Sequence, residues 1–438
     1  MKKRILHLSF ILIIAAIFST STSNAQSPSI EWETSLGGSY DEKPWDVLQT
    51  SDGGYIVSGL TKSADYDVHG FNGAQDSWLT KLHSNGDTLW TKCYGGSDGE
   101  RAASVVETYD GGLVFGGHSD SQDGDVSMGT NGHVDYWLVK TDSIGNVLWS
   151  KTYGGSSMDI AHSICLASDS GIVMGGFTQS DSDDVSGFNG GSDYWVVKVD
   201  KNGNFLWQKT LGGIGNDRIR NIISTKDNGF LAIGFSNSSN GDVSANNGGF
   251  DYWLVKLDSN GTIEWENNFG GSSEDKAYDA YETASNGFIV AGYSKSSDGD
   301  VAINKGSSDY WIIEIDNSGN LIRQVSLGGS DDDKAFSIIP SVDGHTIAVG
   351  ETESIDGDVS NNHGNYDIWV VKLLQRDSEF GIEWQKSLGG TMNETDPYSS
   401  ILTTDSGYVI TGRAQSDNGD MNSNNGMFDL WAVKLKDP

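Results

Sequence analysis

Seven polar loops in this chain carry oxygen ligands at fixed spacing. In "SSNGDVSANNGGFDYW" (238–253), Ser238 stands four residues before Asp242, and Asp251 follows nine residues later, just ahead of Tyr252 and Trp253. The first aspartate recurs as Asp67, Asp125, Asp184, Asp242, Asp300, Asp358 and Asp420. The last recurs as Asp76, Asp135, Asp193, Asp251, Asp309, Asp367 and Asp429. The serine recurs as Ser63, Ser121, Ser180, Ser238, Ser296, Ser354 and Ser416, and Asp65, Asp123, Asp298 and Asp356 add acids two residues before the first aspartate. A bent loop of carboxylates, amides and carbonyls is what calcium takes, with six to eight oxygens. The strict Asp-x-Asp-x-Asp-Gly order is absent. The competing reading is that Asp and Ser side chains bond the loop's own backbone amides, and the pattern favours it. Calcium is the one cofactor the donor set would take.

A second set of acids lies four residues after a Gly-Gly pair: Glu42, Glu100, Asp159, Asp217, Asp275, Asp333 and Glu394. A ring of such carboxylates would bind a cation or a basic ligand. Held close, they would raise one another's pKa unless paired. A lysine recurs as Lys81, Lys140, Lys198, Lys256, Lys372 and Lys434, with Glu314 in the fifth copy, and is the expected partner in a structural salt bridge.

Catalysis finds little footing. His69, His83, His118 and His162 occupy no fixed repeat position. The departures from the repeat (Arg323, Glu314, the insertion near Arg376, and Pro44-Trp45) form no acid–base or nucleophile set.

The loops belong to a larger repeat. A tryptophan with Asp two residues before it recurs as Trp78, Trp137, Trp195, Trp253, Trp311, Trp369 and Trp431, at intervals of 58–62 residues. A second recurs as Trp32, Trp90, Trp149, Trp207, Trp265 and Trp384, Arg323 standing in once. Each copy reads as four strands. In the fifth, "KAYDAYET", "FIVAGYS", "DYWIIEID" and "LIRQVSL" are β-rich runs bounded by Asn, Gly, Asp and Ser. The short turns take Gly and Asn for positive φ. Four antiparallel strands repeated seven times predict a seven-bladed β-propeller. The chain begins on a strand-four segment, "IEWETSL", and ends on strand three, "FDLWAVKLK", so the N-terminal strand closes the ring. A stacked solenoid would leave bare edges.

This topology puts the long loops and the Gly-Gly segments on one face, and the second set of acids at a channel mouth. It separates Cys93, on an outer strand of the first blade, from Cys165, on an inner strand of the third, so no disulfide is expected. The glycine on strand two (Gly59, Gly117, Gly176, Gly234, Gly292, Gly350, Gly412) marks a bulge or a close backbone approach. The tryptophans are expected to pack blade against blade.

The segment "DYWLVKLDSNGTIEWENNFGGSSEDKAYDAYETASNGFIVAGYS" (251–294) resembles the secreted bacterial and archaeal β-propeller repeat of the SBBP type, a likeness that covers nearly all of 30–436. The resemblance implies the fold and assigns no single chemistry. "KTDSIGNVLWSKTYGG" (140–155) is more weakly similar to quinoprotein-like propeller repeats, without their adjacent cysteines.

Residues 1–25 read as a secretory signal peptide: Lys2, Lys3 and Arg4, a short apolar run, and small residues at Ser23 and Ala25, with cleavage after Ala25. Residues 26–438 are then one propeller domain, secreted or periplasmic. Formal net charge is -33, and -36 without the three basic leader residues. So acidic a surface excludes nucleic acid and anionic lipid as partners. No second long apolar run predicts membrane insertion, and no anchoring segment is read after Lys436. A monomer is expected. The reading is a binding or scaffold protein that offers an acidic loop face to a protein or glycan ligand. The alternatives are a glycan-active hydrolase or lyase with a site in the central channel, and a calcium-stabilised surface module.

Overall fold

The structure, a computed structural model, describes residues 27–376 and 379–437. The expected leader and its cleavage point lie outside them. Within them the chain is all strand: seven four-stranded antiparallel sheets arranged as a closed seven-bladed β-propeller.

Blade five shows the unit. Its strands are Asp275–Glu282, Phe288–Ser294, Asp309–Ile315 and Leu321–Leu327, hydrogen-bonded in that order. The second and third strands are buried at every position, because each lies between the neighbouring blades. That is why "DYWII" needs no polar alternation. The core is built between blades: Leu231, Tyr252 and Leu254 of blade four pack with Ala277, Val290 and Trp311 of blade five.

The ring closes as the strand pattern predicts. Ser29–Leu36 pairs antiparallel with Asp429–Lys436, completing the sheet that contains Tyr408–Ala414 and Glu394–Leu402. The closing junction also repeats a backbone bond found at the others: Glu42 N donates to Phe428 O at 2.8 Å, as Asp159 N does to Val134 O at 2.7 Å.

Both tryptophans join blades. The first is fully buried in all seven blades, and in four of them its carbonyl accepts from the preceding blade's tyrosine, as Tyr252 Oη donates to Trp311 O at 2.7 Å. The second caps the next blade's hairpin: Trp265 Nε1 donates to Asn317 O at 3.1 Å, and Trp32 Nε1 to Ser84 O at 3.1 Å. Cys93 and Cys165 are both free. Among the described residues no helix is long and apolar enough to cross a membrane.

The strand-two glycine sits opposite a bulge in strand one, where the pairing register shifts between Ala335 and Ser337 in blade six. A Cβ on Gly350 would stand 1.9 Å from Lys334 O and 2.6 Å from Tyr310 Oη. Gly350→Ala is therefore expected to lower stability by about 3 kcal/mol or more, read as a reduced urea midpoint with an unchanged slope. A midpoint equal to wild type would mean that the bulge relaxes freely.

Candidate functional site

Each Gly-Gly turn meets the next strand one and the long loop in a dense polar knot. Asp275, the first residue of blade five's strand one, is fully buried. Its Oδ2 accepts from Gly271 N at 2.8 Å and from Ser296 Oγ at 2.8 Å, and its Oδ1 accepts from Ser294 Oγ. The loop acid Asp300 accepts from Gly270 N at 3.2 Å, and Asp298 from Ser272 N at 2.7 Å. Ser296 Oγ accepts from Ser273 N at 3.0 Å. Four successive amides of Gly270–Ser273 are thus taken by loop side chains and by Asp275. The long loop folds back onto its own blade's entrance, and its polar groups serve that purpose first.

The seven acids expected at a channel mouth are placed differently. Glu42, Glu100, Asp159, Asp217, Asp275, Asp333 and Glu394 are all fully buried. They lie in these knots because strand one starts there, one turn before the chain reaches the channel. Their expected lysine partners are also elsewhere. Lys81, Lys140, Lys198, Lys256 and Lys372 bind Asp52, Asp110, Asp169, Asp227 and Asp343 at 2.7–2.9 Å, and Lys434 binds Asp405. These aspartates sit in the hairpin turn between strands one and two, on the opposite face. The sequence held a signal for this pairing. The turn aspartate is missing only in copy five, where Ser285 replaces it, and that copy also lacks the lysine. There Glu314 lies directly across from Arg323, and the two form an ion pair.

The last loop aspartate completes the knot from the preceding blade. Asp251 Oδ2 accepts from Asn247 N at 2.6 Å, while its Oδ1 is buried without a hydrogen-bond donor. The same oxygen is buried without a donor in Asp76, Asp135, Asp193, Asp309, Asp367 and Asp429. In every junction it faces the strand-one acid across the first glycine. A Cβ on Gly270 would lie 2.4 Å from Asp251 Oδ1 and 2.8 Å from Asp275 Oδ2; on Gly37, 2.3 Å from Asp429 Oδ1 and 2.5 Å from Glu42 Oε2. Only glycine fits between two carboxylates. Burial, and then the facing acid, push Asp76, Asp135, Asp193 and Asp251 up to about 7. Asp309 and Asp429 rise to about 6, and Asp367 is raised as well. Among the described residues no group of three or more His, Cys, Asp or Glu side chains converges as a metal centre.

The central channel breaks the symmetry. The bulge turns one residue of each strand one toward the axis: Trp45, Ala103, His162, Arg220, Tyr278, Phe336 and Tyr398. These range from Ala103 to Arg220 and Trp45, whereas the next residue is always Asp, Ser or Asn. Trp45 stacks on Tyr398 with ring centres 4.5 Å apart, and Arg220 lies 5.1 Å from the Tyr278 ring centre. One residue further on, a polar belt encircles the channel. Asn221 Nδ2 donates to Asp279 Oδ1 at 2.6 Å, Ser104 Oγ to Asp46 Oδ2 at 2.9 Å, and Ser399 Oγ to Asp46 Oδ1 at 2.8 Å. Together they line a cavity of about 300 Å³. A second hollow shares Asp46, Ser104, Ser163 and Asn221 and extends to Gln49, Glu107 and Ser224, toward the short-turn face. Sequence reading named the channel as an alternative site but did not assemble these residues. Its one signal was a variable position three residues after each repeated acid, four in the last blade.

No protein-family model and no curated protein sequence matches the chain. Similar solved structures include the WD40 domain of Neurospora crassa Pan2, with 12% identity, TM-score 0.47, and coverage of 92% of this chain and 96% of that one. A protein of unknown function from Dyadobacter fermentans is 13% identical, with TM-score 0.44 and coverage of 76% and 94%. The PQQ-bound aldose sugar dehydrogenase of Streptomyces coelicolor is 10% identical, with TM-score 0.38 and coverage of 94% and 100%.

The raised acids dictate an unusual pH response. Their folded pKa exceeds the unfolded value, so the folded state holds extra protons between about pH 4 and 7. The resulting stability is complete below that window and is lost as pH rises through it. Asp110 and Asp169 run the other way: Lys140 and Lys198 hold them below the ordinary range, so their contribution fades in acid. In chelator, the melting temperature should peak near pH 5 and fall by about 5 °C or more at pH 8. Asp251→Asn keeps the shape and removes one charge. It should raise the pH 8 melting temperature by about 2 °C and leave the pH 5 value alone. A wild-type curve that rises from pH 5 to 8 would contradict the paired-acid geometry.

Proposed function

We propose that this chain is an exported binding or scaffold propeller, acting in the periplasm or outside the cell, that presents its acidic loop face to a protein or glycan ligand. One observation carries the reading. After the loops have capped their own Gly-Gly turns, the same face still shows Asp98, Asp120, Asp181, Asp331 and Asp417 exposed. Seven rigid knots hold these acids on a fixed frame, which suits recognition of a basic surface. The resemblance to secreted SBBP-type repeats is in keeping with that role. A glycan hydrolase or lyase in the channel is less well supported, because both oxygens of Asp46 and of Asp279 are already hydrogen-bonded.

The test is a panel of cationic glycans and basic proteins at about 150 mM salt. The quadruple variant Asp98→Asn, Asp120→Asn, Asp331→Asn, Asp417→Asn should keep its melting temperature and lose tenfold or more in affinity for whatever wild type binds. Equal binding by both proteins, or none by wild type, would reject the loop face as the docking surface.

The donorless Oδ1 atoms favour a second reading, a calcium-stabilised module. At pH 8, where the pairs are ionised, calorimetry should then register several calcium ions, with a higher melting temperature in calcium than in chelator. Asp251→Asn should bind one ion fewer. An unchanged melt and no heat would leave the proton as the only partner of these pairs.

A further inference from the structure

The cations around the channel fall into two groups. Lys43 and Arg413 pair with Asp396 at 2.7 and 3.1 Å, Lys276 with Glu274 at 2.8 Å, and Lys334 with Asp332 at 3.1 Å. Arg101 and Arg220, by contrast, form no ion pair among the described residues, nor does Arg218, which bonds Ser192 Oγ at 3.2 Å. Arg101 Nη2 meets His118 Nε2 at 3.0 Å and its guanidinium lies 4.5 Å from the Trp45 ring centre. Nε of Arg101, Nε of Arg220 and Nε1 of Trp45 are buried without acceptors. His162 lies in the same wall; burial, and then Arg220 and Arg101, push it well below its ordinary range, so it is a neutral donor or acceptor there.

Two guanidiniums set near each other without a carboxylate are an odd choice in a chain of net charge -33. Half-buried, like-charged groups destabilise one another, and an anion relieves the strain. The rings of Trp45, Tyr278 and Tyr398 line the same cavity: Arg220 lies on Tyr278, and Trp45 is stacked on Tyr398 with Arg101 beside it. The ring atoms left lining the cavity give a bound ring apolar contact. The belt supplies serine hydroxyls and the Asn221 amide beside the same space. Asp46 and Asp279 also face it, but each of their oxygens already accepts from a belt side chain or a backbone amide. A cavity of about 300 Å³ is at the small end for ligand sites, enough for one ring and not for a chain.

We propose that the central channel is a binding site for a small ring-bearing carboxylate, specifically a monosaccharide acid of the uronic type, whose carboxylate meets Arg220 and whose ring lies against Trp45, Tyr278 and Tyr398. Access is from the short-turn face, where the second hollow joins the first. The site is independent of the acidic loop face, so either can fail without the other.

The probes are glucuronic acid, glucose and benzoate, titrated by calorimetry into the full mature chain at pH 7. Glucuronic acid should bind at one site per chain, at least tenfold more tightly than glucose or benzoate. Arg220→Gln should lose tenfold or more in glucuronic acid affinity with an undiminished melting temperature, since it removes one of two opposed charges. Trp45→Ala should weaken glucuronic acid too, and the exposed-loop quadruple variant should not. Three results would each overturn the proposal: no heat with glucuronic acid, equal affinity for glucose, or full affinity in folded Arg220→Gln. Benzoate binding in preference to glucuronic acid would overturn the sugar assignment.

Discussion

Seven pairs of buried carboxylates sit at the blade junctions, and the glycines, serines and loop amides around them are arranged to fit them. Each pair joins the last loop aspartate of one blade to the first strand acid of the next, as Asp251 joins Asp275 across Gly270. Two bare carboxylates in such a place would repel strongly. The knot lowers that repulsion from one side only: Asp275 receives an amide and two hydroxyls, and Asp251 Oδ1 receives none. A proton on the pair lowers the rest, which is the direction in which burial and the facing acid push Asp251. The Gly-Gly pair follows from the same geometry, because a side chain on either glycine would collide with a carboxylate or with the loop serine.

Much of this was legible in the sequence. The repeat, the four strands, the face shared by loops and Gly-Gly turns, and the closing N-terminal strand all follow from spacing and turn chemistry. Partner choice was not. Lys256 recurs in six copies and Asp275 in seven, but register sends the lysine to Asp227 at the other end of the blade. The correct partner could have been found from copy five, where Ser285 and Glu314 depart together. The donorless Oδ1 atoms were invisible, since one oxygen of Asp251 makes an ordinary turn bond and only three-dimensional packing isolates the other.

The channel shows the opposite case. The knots repeat seven times because each junction poses the same physical problem. At the bulge the backbone requirement also repeats, but the side chain is free, and the blades fill it with Trp45, His162, Arg220, Tyr278 and Tyr398 among others. Repetition in this protein therefore marks the positions that packing and backbone geometry fix, and departure from it marks those they leave free.

The most direct test is carbon-13 NMR of the aspartate side-chain carboxyls in chelated, selectively labelled protein, titrated from pH 3 to 9. The account predicts a distinct group of aspartates that remain protonated past pH 5 and titrate near 6 to 7, with the Asp251→Asn variant missing one resonance from that group. Full ionisation of every aspartate by about pH 5 would contradict it, and would mean that the facing acids do not share a proton.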